Sequence, residues 1–158
     1  MAISVGDSLP SATLHETHPG DALDPSQAFS TGKVLLFGVP GAFTPGCDKT
    51  HLPGYISDRE KYAAKGIDTI ACISVNDAFV MQAWGQHSGA ADKVRMLADP
   101  QAEFVKAMGL DVDAAVLGGT RSKRFAMVLE AGKVTHLQVE PDGFGLTCSL
   151  SENILAEL

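Results

Sequence analysis

The sequence is short of cysteine, and its three thiols stand far apart, at Cys47, Cys72 and Cys148. An odd number at irregular spacing builds no disulfide framework. No C-x-x-C pair occurs, which argues against a structural zinc site and against a dithiol oxidoreductase of the thioredoxin kind. The pattern suits a reducing compartment where any disulfide is transient. Positive charge is scarce as well. Twelve Lys and Arg against nineteen Asp and Glu leave a net charge of -7, which argues against nucleic acid and an anionic membrane surface as partners. No apolar stretch approaches the ~20 residues of a transmembrane helix. The opening MAISVGDSLP has neither the basic start nor the apolar core of a secretory signal. A cytoplasmic location is therefore expected, although a removed organellar presequence would leave no trace. No repeat, low-complexity tract or linker divides the 158 residues, so a single domain over 1–158 is expected, long enough to bury a core without staples.

What is present reads as alternating strands and helices. Residues 1–33 are polar and turn-rich, with room for a short hairpin. KVLLFGV (Lys33–Val39) is an apolar run of strand length. Cys47–Lys65 carries helix formers, stops at Gly66, and is predicted to kink at Pro53. DTIACISV (Asp68–Val75) is apolar at both parities, as in a parallel strand buried on both faces. Asp77 is placed to cap the helix DAFVMQAWGQ, and VRMLA reads as a further strand. DPQAEFVKAMG reads as a helix with Asp99 at its cap and Pro100 in its first position, ending at Gly109. RFAMVLE and VTHLQVE flank a glycine turn as two antiparallel strands. Ser149 and Glu152 have capping-box spacing before the final helix, SENILAEL. This order predicts an α/β protein with a central mixed sheet flanked by helices, in a thioredoxin-like arrangement. Its first strand-to-helix turn holds Cys47.

That turn is GVPGAFTPGCDKTHLPGY, residues 38–55. Thr44 is a natural N-cap and Pro45 a natural first helical residue, which puts Cys47 in the first turn. Unsatisfied backbone N–H groups and the positive end of the helix dipole then face the sulfur. Such a position favours the thiolate, which is the nucleophile. The plainer alternative, a small buried hydrophobe, fits less well, because structural cysteines sit more often in the middle of elements. His51 follows Cys47 at metal-ligand spacing, but the other cysteines are remote and single, so it reads as a helix-surface or backbone-bonded residue. Trp84 with Phe79 and Met81 reads as core or interface packing.

The segment GVPGAFTPGCDKTHLPGY resembles the active-site segment of peroxiredoxins, specifically the peroxiredoxin-5 (type II, atypical two-cysteine) subfamily. ACISVNDAFVMQAWG, VRMLADP, KRFAMV and VEPDGFGLTCSL resemble it too, in the same order, from about Val5 to the C-terminus. The resemblance implies a peroxidase that reduces hydrogen peroxide and alkyl hydroperoxides, with peroxynitrite as a further candidate. It implies no cofactor and no metal, a homodimer, and thioredoxin or glutaredoxin with glutathione as reductant. Cys47 matches the peroxidatic cysteine, which passes through a sulfenic acid. Thr44 matches the hydroxyl that bonds peroxide or sulfur, and Pro40 the residue that shields the pocket. The N–H groups of Gly46 and Cys47 complete that pocket. Arg124 matches the arginine that holds the thiolate and polarises the departing oxygen; from the residues alone it is equally an exposed arginine at a strand start. For the thiol that resolves the sulfenic acid, Cys148 in DGFGLTCS matches the animal pattern and Cys72 in TIACISV the plant pattern. Cys148 is preferred, since two glycines promise its loop mobility whereas Cys72 sits in a central strand. An external thiol is the third route. The class alternative is a redox sensor or binding module without turnover, which would have no reason to assemble Pro40, Thr44, Cys47 and Arg124 together.

Overall fold

The computed structural model describes residues 2–90 and 92–158. Two short strands, β1 (Leu14–His15) and β2 (Ala22–Leu23), pair as a hairpin within the turn-rich opening. One turn of helix, α1 (Pro25–Ala28), follows, its first amides capped by Asp24. The strand β3 (Lys33–Val39) has the bounds its apolar run predicts. After the Cys47 turn come α2 (Leu52–Ser57), α3 (Arg59–Ala64), β4 (Thr69–Ser74), α4 (Ala78–Ser88), β5 (Arg95–Ala98) and α5 (Glu103–Ala107). A small separate hairpin of β6 (Asp111–Ala114) and β7 (Gly119–Ser122) precedes the long hairpin β8 (Phe125–Glu130) and β9 (Lys133–Val139). The helix α6 (Ser151–Glu157) closes the chain.

The main sheet runs β2-β1-β5-β4-β3-β8-β9. Its centre, β5-β4-β3, is parallel, and β8, β9 and β1 join antiparallel, so the sheet is mixed. Alternate residues of β3 serve opposite layers, as burial on both faces requires. Leu35, Phe37 and Val39 join Cys47, Cys72, Tyr55, Trp84 and Ile154 on one side, while Val34 and Leu36 join Phe104, Phe125 and Met127 on the other. The close approach of β3 and β8 depends on Gly38, where a Cβ would collide with the ring of Phe125.

Local details depart from the sequence expectations in instructive ways. Asp77 caps α4 as expected, accepting from the Val80 N–H at 2.9 Å. Asp99 also caps, but from further away. Residues 99–102 form a turn (Ala102 N–H to Asp99 O, 3.0 Å) and the helix begins only at Glu103. The Asp99 carboxylate still reaches the amides of Phe104 and Val105 at 3.0–3.2 Å, while Pro100 lies in the turn instead of the first helical position. The expected capping box of Ser149 and Glu152 does not form; Leu150 occupies the cap position without a side-chain bond. The Ser149 hydroxyl is taken by another carboxylate, as described below. The expected helix over 47–65 is broken twice. Its first five residues, Cys47–His51, form a π-helical turn closed by the Leu52 N–H on Cys47 O. Pro53 explains it: the ring has no N–H to offer Lys49 O, and it presses on that carbonyl, so the turn before it widens. The second break, at Asp58 between α2 and α3, has no proline behind it. Gly66, at φ +86, ends α3 as expected.

Candidate active site

The path from β3 into the helical segment starts at Pro40, buried at the strand end. Thr44 stands at the cap position, its carbonyl accepting the Asp48 N–H at 2.8 Å. Its hydroxyl does not cap the helix, however. It donates to Gly41 O at 2.7 Å, which folds the 41–44 turn and leaves the oxygen's lone pairs free to accept. The N–H groups of Gly46 and Cys47 lie upstream of that first helical bond, where backbone donors have no acceptor within the helix. Cys47 itself is 0% exposed.

Arg124 arrives from the opposite end of the sequence, at the start of β8. It is only 4% exposed, unlike the surface arginine that the charged run RSKR also permits. Its Nη1 lies 3.3 Å from Cys47 Sγ and 3.2 Å from His51 Nδ1. An arginine N–H can only donate, so Nδ1 accepts and the His51 proton sits on Nε2, which faces Ser149 O at 3.0 Å. His51 is therefore fully buried with both nitrogens engaged, and not on the helix surface. Burial, reinforced by the Arg124 charge, pushes its pKa down to about 3, so the ring stays neutral. Gly46 is where the guanidinium comes closest to the backbone. A Cβ there would stand 3.0 Å from Arg124 Nη2 and 3.4 Å from Leu146 Cδ1. The next residue after the thiol, Asp48, accepts from the indole Nε1 of buried Trp84 at 2.9 Å, which fastens the π-turn to α4.

Of the residues expected at the site, the structure gathers Cys47 with Arg124 and Gly46, with Pro40 and Thr44 at the mouth of the same turn. Arg121 donates to Pro40 O at 3.4 Å and Leu117 O at 2.6 Å. Cys72 and Cys47 share one side-chain layer, and burial pushes the Cys72 thiol well up. Cys148 is half-buried, its thiol directed at Val139 O at 3.6 Å; burial, with the Glu140 charge second, pushes it up as well. The loop around it is tied down despite Gly143 and Gly145. Its anchor, Glu140, is the residue that sequence reasoning missed: a charged side chain directly after an apolar strand was the available signal. Tyr55 and Tyr62 were missed too. They are buried, and their hydroxyls donate to Ser149 O at 2.6 Å and Ser151 O at 2.9 Å.

Comparison with known proteins gives the family. The family model described as redoxin matches residues 4–153. Peroxiredoxin-2D of Arabidopsis thaliana is 44% identical over 160 residues, covering 99% of this chain and 98% of the relative. The chain is a peroxiredoxin of the redoxin family. Chloroplastic peroxiredoxin-2E of the same plant is 43% identical over 164 residues, which cover 99% of this peroxiredoxin and 70% of that relative. Among solved structures, reduced Prx3 of Vibrio vulnificus in complex with H2O2 is 47% identical, with a TM-score of 0.91 and 98% of each chain covered. Peroxiredoxin 5 of Alvinella pompejana is 39% identical, with a TM-score of 0.86 over 98% of this chain and 96% of that one. The fold is thus the thioredoxin-like one, and this peroxiredoxin is a thiol-dependent peroxidase. Among the described residues, no helix is long and apolar enough to cross a membrane.

Proposed function

We propose that Cys47 is the peroxidatic residue and that the pocket of Pro40, Thr44, Gly46 and Arg124 serves its attack on hydrogen peroxide and alkyl hydroperoxides, with peroxynitrite as a further substrate. The observation that carries this is the 3.3 Å approach of Arg124 Nη1 to a fully buried Cys47 Sγ. The thiolate attacks one peroxide oxygen, an S–O bond forms as the O–O bond breaks, and the other oxygen leaves to be protonated as water or an alcohol. Thr44, with its own proton on Gly41 O, accepts a hydrogen bond from the peroxide hydroxyl and aims the attacked oxygen at sulfur. Arg124 and the N–H groups of Gly46 and Cys47 face the charge that develops as the bond breaks, in a site from which water is excluded. Pro40 supplies part of that exclusion and, having no N–H, competes for no oxygen. The H2O2 held by the Vibrio vulnificus relative supports this choice of substrate.

On this reading Cys47 becomes a sulfenic acid, and Cys148 resolves it as an intramolecular disulfide, with thioredoxin or glutaredoxin and glutathione as the reductant. A second reading, resolution by Cys72, is favoured by one observation: Cys72 shares the side-chain layer of Cys47. The protein acts in the cytoplasm as a homodimer; Phe79, 64% exposed on α4, and Val116 at the tip of the β6–β7 hairpin offer apolar surface for a second copy. The test is intact-protein mass spectrometry after full reduction and one equivalent of hydrogen peroxide, with the cysteines mapped in peptides. Loss of two hydrogens at Cys47–Cys148 is the expected result. The same loss at Cys47–Cys72 transfers the role to the strand thiol. Added oxygen on Cys47 without a disulfide assigns reduction to an external thiol, and an unchanged Cys47 defeats the peroxidatic assignment.

A further inference from the structure

Glu140 stands where β9 gives way to the last loop, and it is 0% exposed. An unpaired carboxylate in such a place is costly to bury, yet among the described residues no cation is paired with it. Its charge is met by hydrogen bonds instead. The two oxygens accept the N–H groups of Thr147, Cys148 and Ser149 at 2.9–3.0 Å and the hydroxyls of Thr147 and Ser149 at 2.6 and 2.7 Å. Burial works against ionisation, but the donors led by Thr147 and Ser149 outweigh it and hold the group at about 2. Charge-assisted bonds of this kind are the stronger ones. Five of them onto three consecutive residues leave 147–149 in one place.

The same loop is bonded to Arg124 along its other limb. Arg124 N–H donates to Gly143 O at 2.7 Å, and Arg124 O accepts the Glu140 N–H at 3.0 Å. Its side-chain Nε donates to Phe144 O at 3.2 Å. From the clasped end, Ser149 O receives His51 Nε2–H and the Tyr55 hydroxyl, and His51 Nδ1 faces Arg124 Nη1. The loop therefore meets the guanidinium from two directions, directly at Phe144 and through His51.

We propose that Glu140 is a positioning residue for the peroxidatic centre: its buried carboxylate clasps residues 147–149 so that loop 140–149 closes around Arg124 and holds the guanidinium on Cys47. This rests on the reading that Arg124 acts on peroxide at Cys47. The clasp holds Cys148 too, through its amide. Carrying Cys148 to Cys47 therefore breaks its amide's bond to the Glu140 carboxylate.

The test is Glu140→Gln in the full chain. Glutamine keeps the shape but loses the charge and turns an NH2 toward amide donors. Pre-reduced protein is followed by stopped flow against hydrogen peroxide, and the alkylation of Cys47 and Cys148 by iodoacetamide is mapped by peptide mass. The expected result is a fall in the peroxide rate constant of about tenfold or more. Cys47 alkylation stays within about threefold and Cys148 alkylation accelerates, because the lost function concerns the O–O bond and not access to sulfur. Thr147→Val, which removes one hydroxyl donor, shifts the same readouts less, and it decides by the same criteria should the glutamine variant fail to fold. Folded variants that react with peroxide within about twofold of wild type overturn the proposal, as does a parallel fall in the peroxide and iodoacetamide rates at Cys47. A wild-type protein unreactive toward peroxide would instead defeat the assignment of Cys47 on which this rests.

Discussion

Cys47 and Cys72 are equally buried and belong to one layer of side chains, yet their surroundings differ. Cys72 lies mid-strand in β4, between Phe37 of β3 and Met96 of β5, where desolvation outweighs the Arg124 charge and the thiol is pushed well up. Cys47 opens a helical segment with a guanidinium 3.3 Å from its sulfur. Burial by itself makes a thiol inert. On the proposed reading, what sets Cys47 apart is the donor brought up to the peroxide that it attacks, and that donor comes from a residue 77 positions away in the chain.

The sharpest way to test this contrast is to remove each thiol in turn. Cys47→Ser abolishes peroxide consumption, whereas Cys72→Ser leaves the first oxidation of Cys47 within about twofold of wild type, both read by stopped flow on reduced protein. Arg124→Met removes the donor and keeps the packing. It lowers the rate constant with hydrogen peroxide by about 10²–10³-fold, the scale seen when a preorganised charge donor is lost. Gly46→Ala is gentler. Its methyl stands 3.0 Å from the guanidinium, so Arg124 shifts by a few tenths of an ångström and the rate falls by about tenfold.

Those variants probe what the sequence made legible, and its limits follow from distance along the chain. Much that is local to Cys47 could be read: the strand before it, Thr44 at the cap position, and a first-turn thiol, though not the π-turn or the burial of His51. The mixed sheet and the order of its elements could also be read, because period and punctuation are local. Arg124 could not be placed from its surroundings, since RSKR looks like any exposed charged run until β8 lies beside β3. The Ser149–Glu152 pattern misled because a capping box assumes that no stronger acceptor is near, and Glu140 is nine residues upstream of that serine. The same carboxylate bears on the mobility expected of the Cys148 loop. Two glycines mark freedom in an isolated chain, but five donors on one buried carboxylate oppose it. Asp99 shows a milder case, in which the carboxylate reaches the expected helix across a turn of its own.

Three smaller effects extend the contrast from reactivity to stability. His51 is held neutral, with a folded value of about 3 against 6.5. The unfolded chain therefore takes up a proton that the folded one refuses, and stability falls with acid from pH 6.5 toward 3, by up to about 1.4 kcal/mol per unit. Urea titrations at stepped pH should show this slope, and His51→Gln should flatten it. Glu140 adds its own loss lower down, between its ordinary 4.5 and about 2. Last, Asp48→Ala strands the indole N–H of Trp84 in the core. It costs about 1–3 kcal/mol, seen as a drop of a few degrees in the melting temperature.

The π-helical turn at Cys47–His51 gives the thiol something an α-helix would not. It carries one residue more than an ordinary turn, and that surplus stands at the sulfur itself. If the turn slips into α register, every residue upstream rotates by one position, about 100° around the axis. Sγ would then swing away from the guanidinium while β3 and β4 stay paired. The surplus residue thus sets which way Sγ faces, and the bond from Trp84 to Asp48 helps to hold that setting.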